Sequence, residues 1–315
     1  MNDEIKNHEI IEYIISEESK GLRVDQAIAR ENKQFSRSLI QKWIKKGTIR
    51  INDNLTKSKD ILEENDKVTI IPEENINSEY IKPQDIEIDV AYEDKDLIII
   101  NKKDKIICHP AAGHSEGTIA NGLIYLFPEL ENLPRSGLIH RLDKDTTGLL
   151  IIARTINSYT SLIKKMQDRD ISRNYIAFSH GLIMKNGKIN QPISRHRLDR
   201  KKMSVNINGK EAITEYEVVK NYKKNTKIKL KLHTGRTHQI RVHMQNIGFP
   251  LIGDKLYGIN KKANDMSNEK IKLFPRQALH AESLSFKHPI TNKYINIKSN
   301  LPDDMVCLEN YLEDE

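Results

Sequence analysis

The stretch GLIHRLDKDTTGLLII, residues 137–152, sets two carboxylates, Asp143 and Asp145, on a Thr/Gly turn just after a His-Arg pair, then runs into apolar residues. A turn that brings charged groups to the head of a buried strand is a common form of active site. Three chemistries fit it at first sight: a metal loop, a phosphoryl-transfer site, and a carboxylate that works without a cofactor. A calcium loop wants oxygen ligands at positions one, three and five, glycine at six and a bidentate glutamate at twelve. Asp143, Asp145, Thr147 and Gly148 meet the first four, but position twelve is Arg154, a cation where an anion must stand. The calcium loop is excluded.

DKDTTG also fits the Asp-x-Asp-x-Thr signature of the magnesium-dependent phosphatases of the haloacid-dehalogenase type. Such a site follows an unbroken apolar strand, and here His140 and Arg141 interrupt it. The downstream acidic pair is missing as well, since IGDKLYG offers Asp254 but then Gly258. A five-residue signature without its partners is weak. A phosphatase remains an alternative, beside a non-catalytic RNA-binding assembly factor.

Outward from the turn, 315 residues exceed one ordinary domain, and 37% hydrophobic with 30% charged residues can bury a core while staying soluble. Two domains are expected. No apolar run is long enough for a membrane span, and MNDEIKNHEI has no secretion-signal pattern, so a cytoplasmic protein without membrane contact is expected. The two cysteines, Cys108 and Cys307, have no Cys-x-x-Cys partner and build neither a disulfide framework nor a zinc knuckle. Charge is uneven. Lys20 to Arg50 holds nine basic residues against two acidic ones, and Asp303 to Glu315 holds six acidic residues and no basic one. The basic part implies a polyanionic partner.

Within that basic segment the period is helical. Leu22, Val24, Ala27 and Ile28 form one apolar stripe and Leu39, Ile40, Trp43 and Ile44 a second, with Ser36 or Ser38 as cap and Gly47 as stop. Two strand-like stretches, TIRIN and DKVTII, follow. The order resembles the small S4-like RNA-binding domain first known from a small-subunit ribosomal protein. It fits residues 16–72 and implies an RNA-facing surface that includes Arg37, Lys42, Lys45 and Lys46. Residues 1–15 are then an N-terminal extension, and 73–85, polar and without a period, a linker.

Beyond the linker, strands are predicted at 96–102, 148–154, 174–181, 213–220 and 227–233, and helices near 116–127, 156–169 and 237–247. In the last strand Ile228, Leu230 and Leu232 alternate with lysines, the mark of an antiparallel sheet with one wet face. No strand-helix repeat emerges. The expected class is α+β: a mixed, mainly antiparallel catalytic sheet with flanking helices over 86–308, a small N-terminal α/β domain, and an acidic tail at 309–315.

The 137–154 segment closely resembles the signature of the RluA-type pseudouridine synthases, standing here as His140, Arg141, Leu142, Asp143, Thr146, Thr147 and Gly148. SRNYIAFSHG with Tyr175, LHTGRTHQIRVHM with Arg236, His238, Gln239 and Arg241, and FPRQALHAESLSFKHPIT follow in the family's order. The likeness is nearest to the RluD type and implies isomerisation of specific uridines to pseudouridine in 23S ribosomal RNA, free or in a precursor of the large subunit. It implies a monomer, no cofactor and no metal. Asp143 would be the catalytic carboxylate, kept ionised by Arg236, with Tyr175 packed against an everted uracil. Arg141, His140 and Arg241 would bind substrate, and Thr147, Gly148, His238 and Gln239 would support the site. Asp145 would cap the turn or meet a cation. His238 and His243, five apart and so about 140° apart on a helix, do not suit a metal. Arg241, three residues from His238, is placed on another face.

Overall fold

The computed structural model of the chain describes residues 10–32, 35, 37–71, 81–111, 113–258 and 269–314. They fall into two units that divide between Tyr80 and Ile81. Among the described residues no helix is long and apolar enough to cross a membrane.

In the first unit β1 (Ile11–Ile14), α1 (Val24–Glu31), α2 (Arg37–Lys46), β2 (Ile49–Ile51), β3 (Asn54–Leu55) and β4 (Lys67–Ile70) follow in order. The sheet runs β1-β4-β2-β3, antiparallel throughout. Both helices bury the apolar stripe their sequence shows, with Val24, Ala27, Ile28, Ile40, Trp43 and Ile44 packing on Ile49, Val68 and Ile70. Gly47, at φ +80°, ends α2 in the left-handed form that glycine adopts without strain. Two expectations are corrected here. Residues 11–14 are not an extension: Ile11 and Tyr13 turn inward while Ile11–Ile14 pairs with β4, so the sheet begins before residue 16. Arg37 does not offer its whole guanidinium outward, because Nε donates to the fully buried Asp25 at 2.9 Å and ties α2 to α1. Lys45 and Lys46 are exposed. The side chain of Lys42 and the capping serines lie outside the described residues.

The second unit contains β5 (Val90–Glu93), β6 (Leu97–Lys102), α3 (Ile119–Leu126), β7 (Thr147–Ala153), α4 (Ile156–Gln167), β8 (Ser172–His180), β9 (Gly187–Asn190), β10 (Ile193–Arg195) and β11 (Met203–Val205). β12 (Ile213–Asn221), β13 (Asn225–Leu232), α5 (Gln239–Asn246), α6 (Glu269–Lys272), β14 (Leu279–Lys287), β15 (Tyr294–Lys298) and α7 (Asp303–Asp314) complete it. The main sheet has the order β5-β6-β7-β14-β8-β13-β12-β9, with β15 also on β14. Its pairs are antiparallel except β7 with β14, so the class is α+β with a mixed, mainly antiparallel sheet. β6 and β7 read as unbroken apolar runs because both faces are covered: Ile98, Ile100, Leu150 and Ile152 pack with Leu123 of α3, while Leu97, Ile99, Leu149 and Ile151 pack with Leu162 of α4. β13 instead buries Ile228, Leu230 and Leu232 and turns Lys231 to solvent.

The outer boundaries also differ from expectation. Residues 72–80 lie outside the described set, but 81–85 already belong to this unit: Ile81 enters its core, and Asn121 of α3 donates to the Lys82 carbonyl at 2.8 Å. The acidic tail is the second half of α7. That helix buries Met305, Leu308 and Leu312, and Glu309 accepts from Lys227 Nζ at 2.6 Å.

Candidate active site

The turn that carries Asp143 is fixed before β7 begins. The Thr146 N–H donates to the Asp143 carbonyl at 3.1 Å, and Gln277 Nε2 donates to Thr146 Oγ1 at 3.0 Å. Thr147 Oγ1 meets His280 Nδ1 at 2.9 Å, and His280 Nε2 meets Ser299 Oγ at 2.8 Å. Gly148 allows the parallel contact with β14, since a Cβ there would stand 2.3 Å from the Ala281 carbonyl oxygen. From below, buried Lys102 donates from Nζ to the carbonyls of Lys103, Ile106 and Lys144 at 2.7, 2.9 and 2.9 Å. Burial pushes its pKa down to about 8. Cys108 bonds both the N–H and the carbonyl of Leu142 through Sγ. Asp145 contributes its carbonyl, which accepts from Arg276. Its carboxylate makes no hydrogen bond or ion pair among the described residues, but its charge acts on buried Lys102.

The guanidinium on Asp143 belongs to Arg241, which donates from Nη1 to Asp143 Oδ2 at 2.9 Å. The same side chain holds Asp254 in a fork, Nε to Oδ2 at 2.7 Å and Nη2 to Oδ1 at 2.9 Å. Burial works against its charge, and the hydrogen bonds and charges of the two carboxylates outweigh it, so its pKa rises above that of an ordinary arginine. Burial likewise pushes Asp254 up, and Arg241 with the N–H groups of Tyr257 and Leu256 brings it below the usual carboxylate range. Arg241 is therefore locked in place by one acid while it binds the other.

His238 caps α5 with a left-handed backbone, φ 56°, which directs its ring at the same acid. The Met203 N–H donates to Tyr257 Oη at 2.7 Å, and that hydroxyl pairs with His238 Nδ1 at 2.8 Å. Nε2 of the same ring faces Asp143 Oδ1 across 3.9 Å, beyond a hydrogen bond. Burial lowers the His238 pKa, so the ring is neutral. Arg241 and His238 thus address one carboxylate, not different faces. Oδ1 of Asp143 remains the freer oxygen.

Tyr175 completes the cleft from β8, buried, with its phenol pushed by burial to about 12. Arg141 stands exposed at the rim. Arg236 also lines the cleft, but its Nε donates to the Glu211 carbonyl at 2.9 Å and no contact with Asp143 forms among the described residues. The partner assigned to Arg236 is thus corrected to Arg241, whose helix brings it back toward the turn. His140 is corrected too. It is buried away from the cleft lining, and its Nε2 accepts from the Ile151 N–H at 3.2 Å. Gln239 uses its whole amide inside: Oε1 accepts from Thr234 Oγ1 and the Arg236 N–H, and Nε2 donates to the Ile213 carbonyl and Thr214 Oγ1. Lys102 and Tyr257 were missed by sequence reasoning, and Asp254 was weighed only as an acid of the phosphatase reading; a lysine closing an apolar strand, as Lys102 does, was a visible signal.

Among the described residues, Asp94, Asp96 and His288 are grouped closely enough to suggest a metal. His288 Nδ1 accepts from the N–H groups of Ile290 and Thr291, at 3.2 and 3.0 Å, so the proton sits on Nε2 and points at Asp94 Oδ2 3.0 Å away. No ring lone pair is left for an ion, and the trio anchors a loop. His243 is likewise occupied, by Thr214 Oγ1 and the Gln191 carbonyl, both at 2.9 Å.

The sequence model of the RNA pseudouridylate synthase family matches residues 96–246, and that of the S4 domain matches 22–68. Ribosomal large subunit pseudouridine synthase D of Pseudomonas aeruginosa is 40% identical over 299 residues, covering 94% of this chain and 93% of that one. The Haemophilus influenzae protein of the same name is 40% identical over 304 residues, covering 95% and 94%. Among solved structures, human RNA pseudouridylate synthase domain containing 4 shares the fold, with a TM-score of 0.57 and 24% identity over 71% of this chain and 93% of that one. Both the sequence and the fold of the catalytic unit lead to one conclusion: the chain belongs to the RNA pseudouridine synthases, with an S4 domain ahead of the catalytic unit.

Proposed function

We propose that the protein isomerises specific uridines of large-subunit ribosomal RNA to pseudouridine, acting in the cytoplasm as a monomer, with Asp143 as its reacting group and no cofactor. The reaction breaks the bond from base N1 to the sugar, turns the base, and rejoins it through C5 with no change of composition or oxidation state. Asp143 either attacks the sugar carbon or removes a neighbouring sugar proton, and both routes begin from its ionised form. The observation that carries this reading is the 2.9 Å pair of Asp143 with Arg241, which holds Oδ2 and leaves Oδ1 for substrate. Arg241 sets a positive charge against the carboxylate in a cleft that an entering nucleotide closes to water.

A base inside a folded RNA must leave its stack to reach that oxygen. Buried Tyr175 offers the everted uracil an aromatic surface, and exposed Arg141 is placed to fill the gap it leaves or to meet its phosphate. As a neutral phenol Tyr175 keeps its proton at physiological pH. Exposed Lys45 and Lys46 of the S4 domain add phosphate contacts that raise affinity without choosing sequence.

The test is pseudouridine mapping of unmodified large-subunit ribosomal RNA, free and in precursor particles, after incubation with the full chain. Discrete new pseudouridines with the wild type, none with Asp143→Asn, and no effect of a chelator are expected. An unchanged map on every substrate overturns the reading.

A further inference from the structure

Arg173 lies on β8 two residues before Tyr175 and is only 5% exposed. Its Nε is sealed from solvent with no acceptor, and among the described residues no hydrogen bond or ion pair engages its guanidinium. A second orphan donor accompanies it. Because His140 Nε2 accepts from Ile151, the ring proton sits on Nδ1, which is buried and unbonded as well. Burial first, and then the nearby charge of Arg173, keep that ring neutral. Water could complete the hydrogen bonds of such donors but could not balance the charge, which calls for an anion.

The surroundings indicate which anion. A Cβ on Gly235 would stand 2.9 Å from Arg173 Nη1, so the guanidinium lies against the loop that continues into Arg236 of the cleft. Next to it Ser172, Leu232 and His233 help line a cavity of about 400 Å³ that shares Leu232 with the catalytic cleft. Lys165, Lys231 and Lys287 surround this cavity, and among the described residues no ion pair engages them. Asp170 is the one acid in its lining. Several unpaired cations around one cavity beside the catalytic cleft suit a polyanion better than a single small ion.

We propose that Arg173 receives a phosphodiester of the substrate strand beside the isomerised uridine, and that the lysine-lined cavity carries the phosphates that follow. The inference rests on the RNA isomerase reading. A phosphate supplies the planar pair of acceptors that a guanidinium fits, and it neutralises the buried charge when RNA arrives.

The experiment compares the full-length wild type, Arg173→Gln, and the surface double variant Lys231→Ala/Lys287→Ala on transcribed large-subunit ribosomal RNA. Arg173→Gln should raise Kd and KM about tenfold with a smaller change in kcat, and should lower the slope of log affinity against log salt by about one. The lysine pair should lower that slope by about two. Free Arg173→Gln should melt no lower than the wild type, having lost an unbalanced charge, whereas a purely structural arginine would leave a less stable protein. At a mapped site, a neutral methylphosphonate at the flanking linkage should weaken wild-type binding but leave the variant unaffected; the wild-type half of that comparison remains decisive if the variant does not fold. Unchanged affinity and salt slope, or no response of the wild type to the neutral linkage, overturns the proposal. Wild-type protein that makes no pseudouridine defeats the isomerase reading instead, and the affinity measurements still judge Arg173.

Discussion

Asp25 in the S4 unit and Asp143 in the catalytic unit are both held by guanidinium groups, yet only one of them is left able to react. Arg23 donates to Asp25 Oδ1 at 3.2 Å while Arg37 and Gln41 converge on Oδ2, and the carboxylate has no exposure at all. Burial works to raise its pKa, and those partners more than offset it, so it falls below the ordinary range. Both oxygens are engaged. Asp143 receives one short bond to one oxygen, is 17% exposed, and opens into a cleft. The lesson is that an arginine beside an acid means little alone: the structural carboxylate has both oxygens engaged, whereas the reactive one leaves an oxygen uncommitted.

Substitution can break this contrast from either side. Asp143→Asn should reduce pseudouridine formation on the order of 10⁴-fold or more while the urea midpoint and RNA affinity stay near wild type. Residual turnover well above that would remove Asp143 from the chemistry. Asp254→Asn should lower kcat by about 10²-fold, because the fork that aims Arg241 is lost while Asp143 is intact, and single-turnover kinetics reads it. Asp25→Asn should act in the opposite sense, costing about 2 kcal/mol of S4-unit stability with kcat nearly unchanged. The single tryptophan, Trp43, is buried in that unit, so its fluorescence in urea measures the loss.

Acid should separate the units by a smaller increment. Burial holds the folded-state pKa of His140 at about 3 and of His280 at about 4, against roughly 6.5 in the unfolded chain. Below that value the unfolded chain binds protons that the folded rings refuse, so stability falls as pH drops, by about 1.4 kcal/mol per unit for each ring. The described part of the S4 unit contains no histidine, and its depressed carboxylates Glu12, Asp25 and Glu31 act only below about pH 4. Circular dichroism should therefore record loss of the catalytic unit at a higher pH than Trp43 fluorescence records loss of the S4 unit. Coincident transitions would contradict this.

Legibility followed the range of the interactions. β6 and β7 were readable because unbroken apolar runs of that length mark strands covered on both faces, and β13 because its lysines alternate. The head of α7 was hidden by its acids, although Met305, Leu308 and Leu312 already held helical spacing. β14 was obscured by an irregularity between His280 and Ser283 that breaks its alternation. The arginine partner was misassigned because the resemblance places Arg236 and Arg241 in one motif and does not by itself say which guanidinium reaches Asp143. The signal that could have found it was position: Arg241 falls in the first turn of the helix that His238 opens, at the same end of α5.

The most direct test of the account is the single-turnover rate of pseudouridine formation by Arg241→Gln and Arg236→Gln at saturating RNA. Loss of Arg241 should lower the rate by about 10³-fold, and loss of Arg236 should leave it within about tenfold, with the larger change in RNA affinity. The reverse order would mean that Arg236 governs the carboxylate during the reaction, contradicting the claim that Arg241 holds Asp143 ready.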